Sequence, residues 1–351
     1  MKLLPLLLAS GAVASSRSRR SLQKVSNLIS FGDSYTDEGR LSAYYANNGS
    51  TPPVATNTSG SNFTSTGGYA WGHFASEALG AEYYDYAVSG AFCSNEIISR
   101  YLAGINRTFP AVLEDEIPSF LEDVAYVNAS TGTNTFYADR ESNNTVYALW
   151  IGTNDLGLDA FLTDSQHAGL TITDFIGCVW QVFDAIYGAG GRHFVLLNEA
   201  PLEHTPLYAA PQNGGLGDNR YWTNKTAYNM TEYEQKMKEY TTSVNTMFDY
   251  GVPVETRIKA RWPDASFAVF NVHQLILDIR ARPENYLDAP ANVTGYYYHC
   301  AVDGSNCTQS EDPLSSFLWY DELHPSERTD EIIADEFVKL VSGNSSYATY
   351  W

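Results

Sequence analysis

Four short stretches of the chain carry residue types that could together cleave an ester. The first, Ile29-Ser30-Phe31-Gly32-Asp33-Ser34-Tyr35-Thr36-Asp37, sets a serine beside a glycine at the end of an apolar run. Serine is a poor nucleophile unless a base lies within hydrogen-bond reach, and Gly-Asp-Ser alone is equally ordinary turn chemistry. The second, Tyr86-Ala87-Val88-Ser89-Gly90-Ala91, contains a glycine whose N–H can approach a developing negative charge, or which merely ends a strand. The third, Trp150-Ile151-Gly152-Thr153-Asn154-Asp155, offers an asparagine amide to an oxyanion, or closes the turn before a helix. The fourth, Trp319-Tyr320-Asp321-Glu322-Leu323-His324-Pro325, places Asp321 three residues before His324. A carboxylate so placed can take the Nδ1–H of the imidazole and turn Nε2 toward a nucleophile. Imidazole also titrates where proton transfer at mild pH needs it. The same pair could serve only as a helix-entry hydrogen bond.

The surrounding pattern says what must hold these residues. Apolar runs at 25–31, 83–88, 146–151, 193–198 and 266–272 read as buried parallel strands. Helical patterns occupy 69–79, 117–127, 174–187, 230–250 and 326–341, the last preceded by Pro325, with Ser326 as a candidate N-cap and Gly343 beyond its end. Alternation of strand and helix at this spacing predicts an α/β fold around a parallel sheet. Ligands of such sheets lie beyond the carboxyl ends of the strands, which is where the first three stretches fall. Two polar segments, 47–68 and 211–219, read as exposed loops, the first close to the expected active edge. No internal repeat is present.

Taken together and in this order, the four stretches resemble the GDSL, or SGNH, hydrolase superfamily over nearly the whole mature chain. The resemblance implies a three-layer α/β/α sandwich of flavodoxin-like type with a central parallel sheet of about five strands. It also implies that Ser34 is the nucleophile, His324 the general base and Asp321 its orienting carboxylate. The N–H groups of Ser34 and Gly90 and the amide of Asn154 would form the oxyanion hole, with no metal and no organic cofactor. Tyr35 stands where the family's Gly-Asp-Ser-Leu has leucine, a departure read as outside the chemistry. A narrower resemblance, to fungal family-sixteen carbohydrate esterases, is carried by residues 31–40, by Tyr86–Ala91 with Cys93-Ser94-Asn95, and by Leu318–Pro325. Those are extracellular acetylesterases that deacetylate partly degraded hemicellulose, especially xylo-oligosaccharides.

Residues 1–20 read as a secretory signal peptide and a short pro-segment. Lys2, the apolar run from Leu3 to Leu8 and Ala12-Val13-Ala14 supply the signal, and Arg19-Arg20 a cleavage pair or simply a basic terminus. Residues 21–351 are then expected to be a single domain with long glycosylated loop insertions. Acceptor sequons begin at Asn48, Asn57, Asn62, Asn106, Asn128, Asn143, Asn224, Asn229, Asn292, Asn306 and Asn344. The formal charge of −20 disfavours nucleic acid and anionic membranes as partners. A secreted monomer acting on small-molecule or oligosaccharide esters, without stable membrane association, is the expectation. Four cysteines allow three pairings. Cys300 with Cys307 closes a short loop and is preferred; Cys93 with Cys178 would follow, unless those two remain buried thiols.

Aromatic residues make up 14% of the chain, and ring faces can stack on sugars. Trp71, Trp319 and Tyr320 are candidate substrate contacts, with Asp33 beside the nucleophile. A lipase would be expected to carry an apolar lid, whereas the 47–68 segment is polar. An extracellular lipase or phospholipase-type acylhydrolase is the rival reading within the class. A non-catalytic carbohydrate-binding protein is the rival outside it.

Overall fold

The computed structural model describes residues 24–351, so the expected signal peptide and pro-segment lie outside the described residues. The first strand, β1 (Asn27–Gly32), is buried at every position, as a strand covered on both faces must be. In chain order there follow α1 (Arg40–Ala46), α2 (Trp71–Leu79), β2 (Glu82–Asp85), α3 (Ile117–Ala125), β3 (Thr145–Trp150), α4 (Ile172–Gly188) and β4 (His193–Leu197). Then come α5 (Met230–Pro253), β5 (Ser266–Phe270), α6 (Val272–Ala281), β6 (Asn292–Tyr296), β7 (Tyr298–His299), β8 (Thr308–Gln309), β9 (Phe317–Trp319), α7 (Glu327–Val341) and β10 (Ala348–Tyr350).

The central sheet has the order β10-β5-β4-β3-β1-β2. Its first five strands in sequence are mutually parallel, and β10 adds antiparallel to β5. The sheet therefore has six strands rather than about five. The extra strand is three residues at the very end of the chain, too short to show a period in sequence. The strand order 2-1-3-4-5 follows from chain direction. The β1→β2 connection steps toward one edge, whereas β2→β3, β3→β4 and β4→β5 step toward the other. Right-handed crossovers then put α2 on one face and α3, α4 and α5 on the opposite one. The contacts agree, since α2 packs on α7 while α4 touches both α3 and α5. Reversal of direction at β1/β3 opens a crevice at their carboxyl ends.

Local signals explain most boundaries. Helix α4 opens with a capping box from Thr171 and Asp174 and buries Phe175, Val179, Val182 and Phe183. Ser326 caps α7, as expected, by accepting from Thr329 N–H. The expected strand at 266–272 ends at Phe270, because Asn271 accepts from Gln274 N–H and starts α6. Neither α6 nor the seven-residue α1 was anticipated. Cys93 is bonded to Cys178 and Cys300 to Cys307. The first bond ties α4 to the loop after β2 across 85 residues of sequence, a closure worth about 4.5 kcal/mol in the chain-entropy account.

The 47–68 loop covers the open edge of the sheet. Asn57 Nδ2 and Ser59 Oγ both donate to the Tyr83 carbonyl on edge strand β2, each at 2.8 Å. Of the eleven sequon asparagines, nine are exposed; Asn128 and Asn292 are half-buried and none is buried. Among the described residues, no helix is long and apolar enough to cross a membrane.

Candidate active site

Ser34 sits two residues beyond β1, in a turn that Gly32 and Asp33 shape. Gly32 has φ +144°, and a Cβ there would lie 2.0 Å from the Trp150 carbonyl oxygen of β3. Glycine at that position lets the chain leave the sheet where β1 and β3 are still paired. Beyond it the Asp33 carboxylate accepts from Tyr35 N–H at 3.1 Å and closes the turn.

The fourth stretch meets this turn. His324 Nε2 lies 2.7 Å from Ser34 Oγ, and His324 Nδ1 lies 2.8 Å from Asp321 Oδ1. Ser34, His324 and Asp321 are all buried. The loop bearing His324 is fixed at both ends. Tyr320 N–H donates to the His324 carbonyl at 2.8 Å, and Ser326 Oγ donates to the Phe317 carbonyl at 2.6 Å. Asp321 Oδ1 also accepts from the N–H groups of Leu323 and His324, at 2.9 and 2.8 Å. Its Oδ2 accepts from Arg220 Nη2 at 2.7 Å and Tyr221 OH at 2.8 Å. Burial opposes the charge on Asp321, but His324, Arg220 and the His324 N–H outweigh it and hold the carboxyl down at about 2.

The second and third stretches face the same serine turn through a set of carboxylate ties. Asp37 accepts from Ser89 N–H at 2.7 Å and from Arg40 N–H at 2.6 Å, joining the loop after β1 to the loop after β2. Glu116, fully buried, bridges the two strand ends: its oxygens accept from Gly32 N–H at 3.0 Å and Val88 N–H at 3.2 Å. Asp155 accepts from Cys93 N–H at 3.0 Å, and Asn154 Nδ2 donates to the Ala91 carbonyl at 3.1 Å. These ties draw Gly90, Asn154 and Ser34 into one neighbourhood. Gly90 has φ +89°, and Arg100 Nη2 donates to its carbonyl. Among the described residues, neither Ser34 N–H nor Gly90 N–H has a hydrogen-bond acceptor in the protein. Two unengaged backbone donors, one of them on Ser34 itself, suit a site where negative charge develops on a carbonyl oxygen.

Three expected substrate contacts are corrected. Trp71 has no exposed surface; its Nε1–H donates to Thr36 Oγ1 at 3.1 Å and its ring packs on Phe337. Trp319 is equally sealed, because it lies in β9 beneath the loop that carries His324. Both indoles belong to the core, where the largest apolar side chains of a short strand and a helix start go. Asp33 is also interior. Burial pushes it up to about 6, against the hydrogen bond from Tyr35 and the nearby His324. Tyr320 alone keeps some exposure, and it stacks on Tyr298 with ring centroids 5.3 Å apart and planes at 4°. Tyr35 is not a passive replacement for leucine: its hydroxyl donates to the Leu323 carbonyl at 2.7 Å.

The sequence reading missed Arg220 and Tyr221, which lie about one hundred residues from Asp321 and carry no local motif, as well as Asp37, Glu116 and Asp155. Spacing alone does not single out Asp321 and His324, because Asp164 and His167 are also three residues apart; the pair was selected by the resemblance of its whole stretch. His167 is exposed and bonds to Ser99 Oγ and to the Glu96 carbonyl, well apart from any serine turn at a strand end.

A serine, an imidazole and a buried carboxylate stand in hydrogen-bond sequence above a parallel α/β sheet, an arrangement suited to acyl transfer. The chain belongs to the GDSL-like lipase/acylhydrolase family, whose model matches residues 28–337, and it is an ester hydrolase of that type. It is 50% identical over 324 residues to an acetylesterase of Hypocrea jecorina, covering 92% of this chain and 91% of the relative. An acetylesterase of Thermothelomyces thermophilus is 29% identical over 72% of this chain and 80% of its own length. A GDSL esterase/lipase of Arabidopsis thaliana is 23% identical over 90% of this chain and 91% of its own.

Proposed function

We propose that this protein is a secreted acetylesterase that removes acetyl groups from soluble hemicellulose-derived oligosaccharides. The observation that carries the chemistry is the 2.7 Å contact between Ser34 Oγ and His324 Nε2, with Asp321 behind the imidazole. His324 takes the hydroxyl proton as Ser34 attacks the acetyl carbonyl. The oxyanion receives the N–H groups of Ser34 and Gly90 and the Asn154 amide. His324 returns the proton to the departing sugar hydroxyl, leaving acetyl-Ser34. Water, deprotonated by the same imidazole, then releases acetate and restores the serine.

The acetyl preference is supported by the 50% identical acetylesterase and by the polar 47–68 loop, which packs along the sheet edge. Export is supported by two disulfides and by sequon asparagines that are exposed or half-exposed. One observation favours acylhydrolysis at a lipid surface instead: Phe63, in the same loop, is 89% exposed.

One set of assays decides. The kcat/KM on nitrophenyl esters should fall steeply from acetate to octanoate. Each added methylene gains about 0.8 kcal/mol only where apolar surface receives it. Acetylated xylo-oligosaccharides should release acetate, and micelles should not activate. Ser34→Ala should lower turnover at least about ten-thousandfold while the circular dichroism spectrum is unchanged. Rising activity toward octanoate, or a jump in rate at a micellar interface, favours the lipid reading. Turnover that survives Ser34→Ala overturns the mechanism.

A further inference from the structure

The carboxylate behind His324 is bonded more heavily than orienting an imidazole requires. Two backbone N–H groups already serve Asp321 Oδ1, yet Oδ2 takes two further side-chain donors, Arg220 and Tyr221, from a distant stretch of chain. Arg220 is anchored there. Its Nε donates to Glu322 Oε2 at 3.0 Å, and its guanidinium lies over the Tyr221 ring, 4.7 Å from the centroid. The Arg220 side chain is 21% exposed, and those of Asp321 and Glu322 are 3% and 0% exposed, so solvent screens this charge poorly.

Asp321 makes a fixed contact with His324, so any charge placed on Asp321 acts on the basicity of the imidazole. An aspartate without a second partner stabilises imidazolium strongly, and it draws the base onto a proton as the medium acidifies. A cation sharing the carboxylate cancels part of that field. We infer that Arg220 is a positioning residue whose charge on Asp321 keeps His324 neutral, and able to accept the serine proton, at more acidic pH than Asp321 alone would allow. The inference rests on the reading of Ser34, His324 and Asp321 as the catalytic groups.

The other groups facing this pair do not supply the effect. Asp33 and the Tyr35 ring face His324 from the nucleophile turn, and Tyr221 faces it from the loop of Arg220. Tyr296, Tyr320 and Glu322 face Asp321. Arg220 is the cation among them. Asp321, held at about 2, stays ionised across the working range, so Arg220 acts on a constant charge.

The test is the pH dependence of kcat/KM on nitrophenyl acetate, whose acid limb reports the essential base of the free enzyme. Arg220→Met should move that limb to higher pH by about half a unit or more. Arg220→Lys keeps the charge and should leave the limb at the wild-type position even where kcat falls. A role confined to anchoring Asp321 lowers the rate in parallel at every pH; a limb in Arg220→Met that coincides with wild type overturns the inference. Should Arg220→Met not fold, Arg220→Gln replaces it. An NMR titration of the His324 ring in the Ser34→Ala background reads the same shift without turnover, and an unmoved His324 titration between the Arg220 forms also overturns it. Wild-type protein that hydrolyses no ester, or activity that persists in Ser34→Ala, overturns the functional reading instead and is distinguished by that signature.

Discussion

Tyr35 donates its hydroxyl hydrogen to the Leu323 carbonyl at 2.7 Å, joining the turn that carries Ser34 to the loop that carries His324. The two residues are 288 apart in sequence, and both are buried. The serine–imidazole distance is therefore set by a neighbouring tie as well as by its own hydrogen bond. The Tyr35 ring adds an edge contact to the imidazole, with centroids 5.7 Å apart. Together with Asp37, Glu116 and Asp155, this tie joins the loops around Ser34 to one another, and such cross-linking suits the preorganisation that the proposed mechanism requires.

Asn154→Ala is expected to act on the transition state alone. Its amide is held by the Ala91 carbonyl, next to Gly90 in sequence. Losing one oxyanion donor lowers kcat by about a hundred- to a thousand-fold, with KM nearly unchanged. Steady-state kinetics on nitrophenyl acetate check this; a rise in KM at constant kcat would assign Asn154 to ground-state binding instead.

Trp319→Ala is expected to be a stability variant and not a specificity variant. The indole is sealed in β9, so its removal should cost about 3–5 kcal/mol in urea unfolding. The ratio of activity on acetylated oligosaccharide to that on nitrophenyl acetate should match wild type in the fraction that folds. A selective loss on the oligosaccharide would return Trp319 to the substrate surface.

Thermal stability should be greatest at mildly acidic pH and decline toward alkaline pH. Burial raises Asp33 to about 6, Asp155 to about 7 and Glu38 to about 8, all above the range of an unfolded carboxyl near 4. A group whose folded pKa is raised binds its proton more tightly in the folded state. Its stabilisation is complete below the unfolded pKa and is lost as pH rises through the folded one. Asp321 has the opposite sign, contributing above its unfolded pKa and losing that contribution only as pH falls toward 2. Scanning calorimetry should show Tm falling by about 5 °C or more between pH 5 and pH 8. A Tm that climbs over that interval would mean the three carboxyls are not held protonated by burial.

The sequence by itself determined the five parallel strands, most of the helices and the ester-hydrolase class. Buried parallel strands must be apolar throughout, so β1, β3, β4 and β5 were legible as runs, and the residues that end them were legible as chemistry because they break those runs. Ser34, Gly90 and Asn154 stand at or just beyond the ends of such runs, whereas Asp321 and His324 lie in a loop, and the five were read together only through the resemblance that the four stretches carry in order. The short-loop disulfide was readable for the same reason of local spacing. What escaped was whatever depended on contacts between distant segments. The spacing of Asp164 and His167 equals that of Asp321 and His324, and only packing set the second pair against the buried serine beyond β1, whereas His167 meets Ser99 at the surface. Composition marked Trp71 and Trp319 as sugar platforms, yet burial is decided by which face of the sheet and which loop close over a ring. Arg220, Tyr221 and Glu116 lie in segments with no motif of their own, and their roles exist only because the fold carries them to Asp321 and to the ends of β1 and β2. Local periodicity records the burial of a segment's own side chains; it carries no record of the distant partner that a single charged side chain will meet.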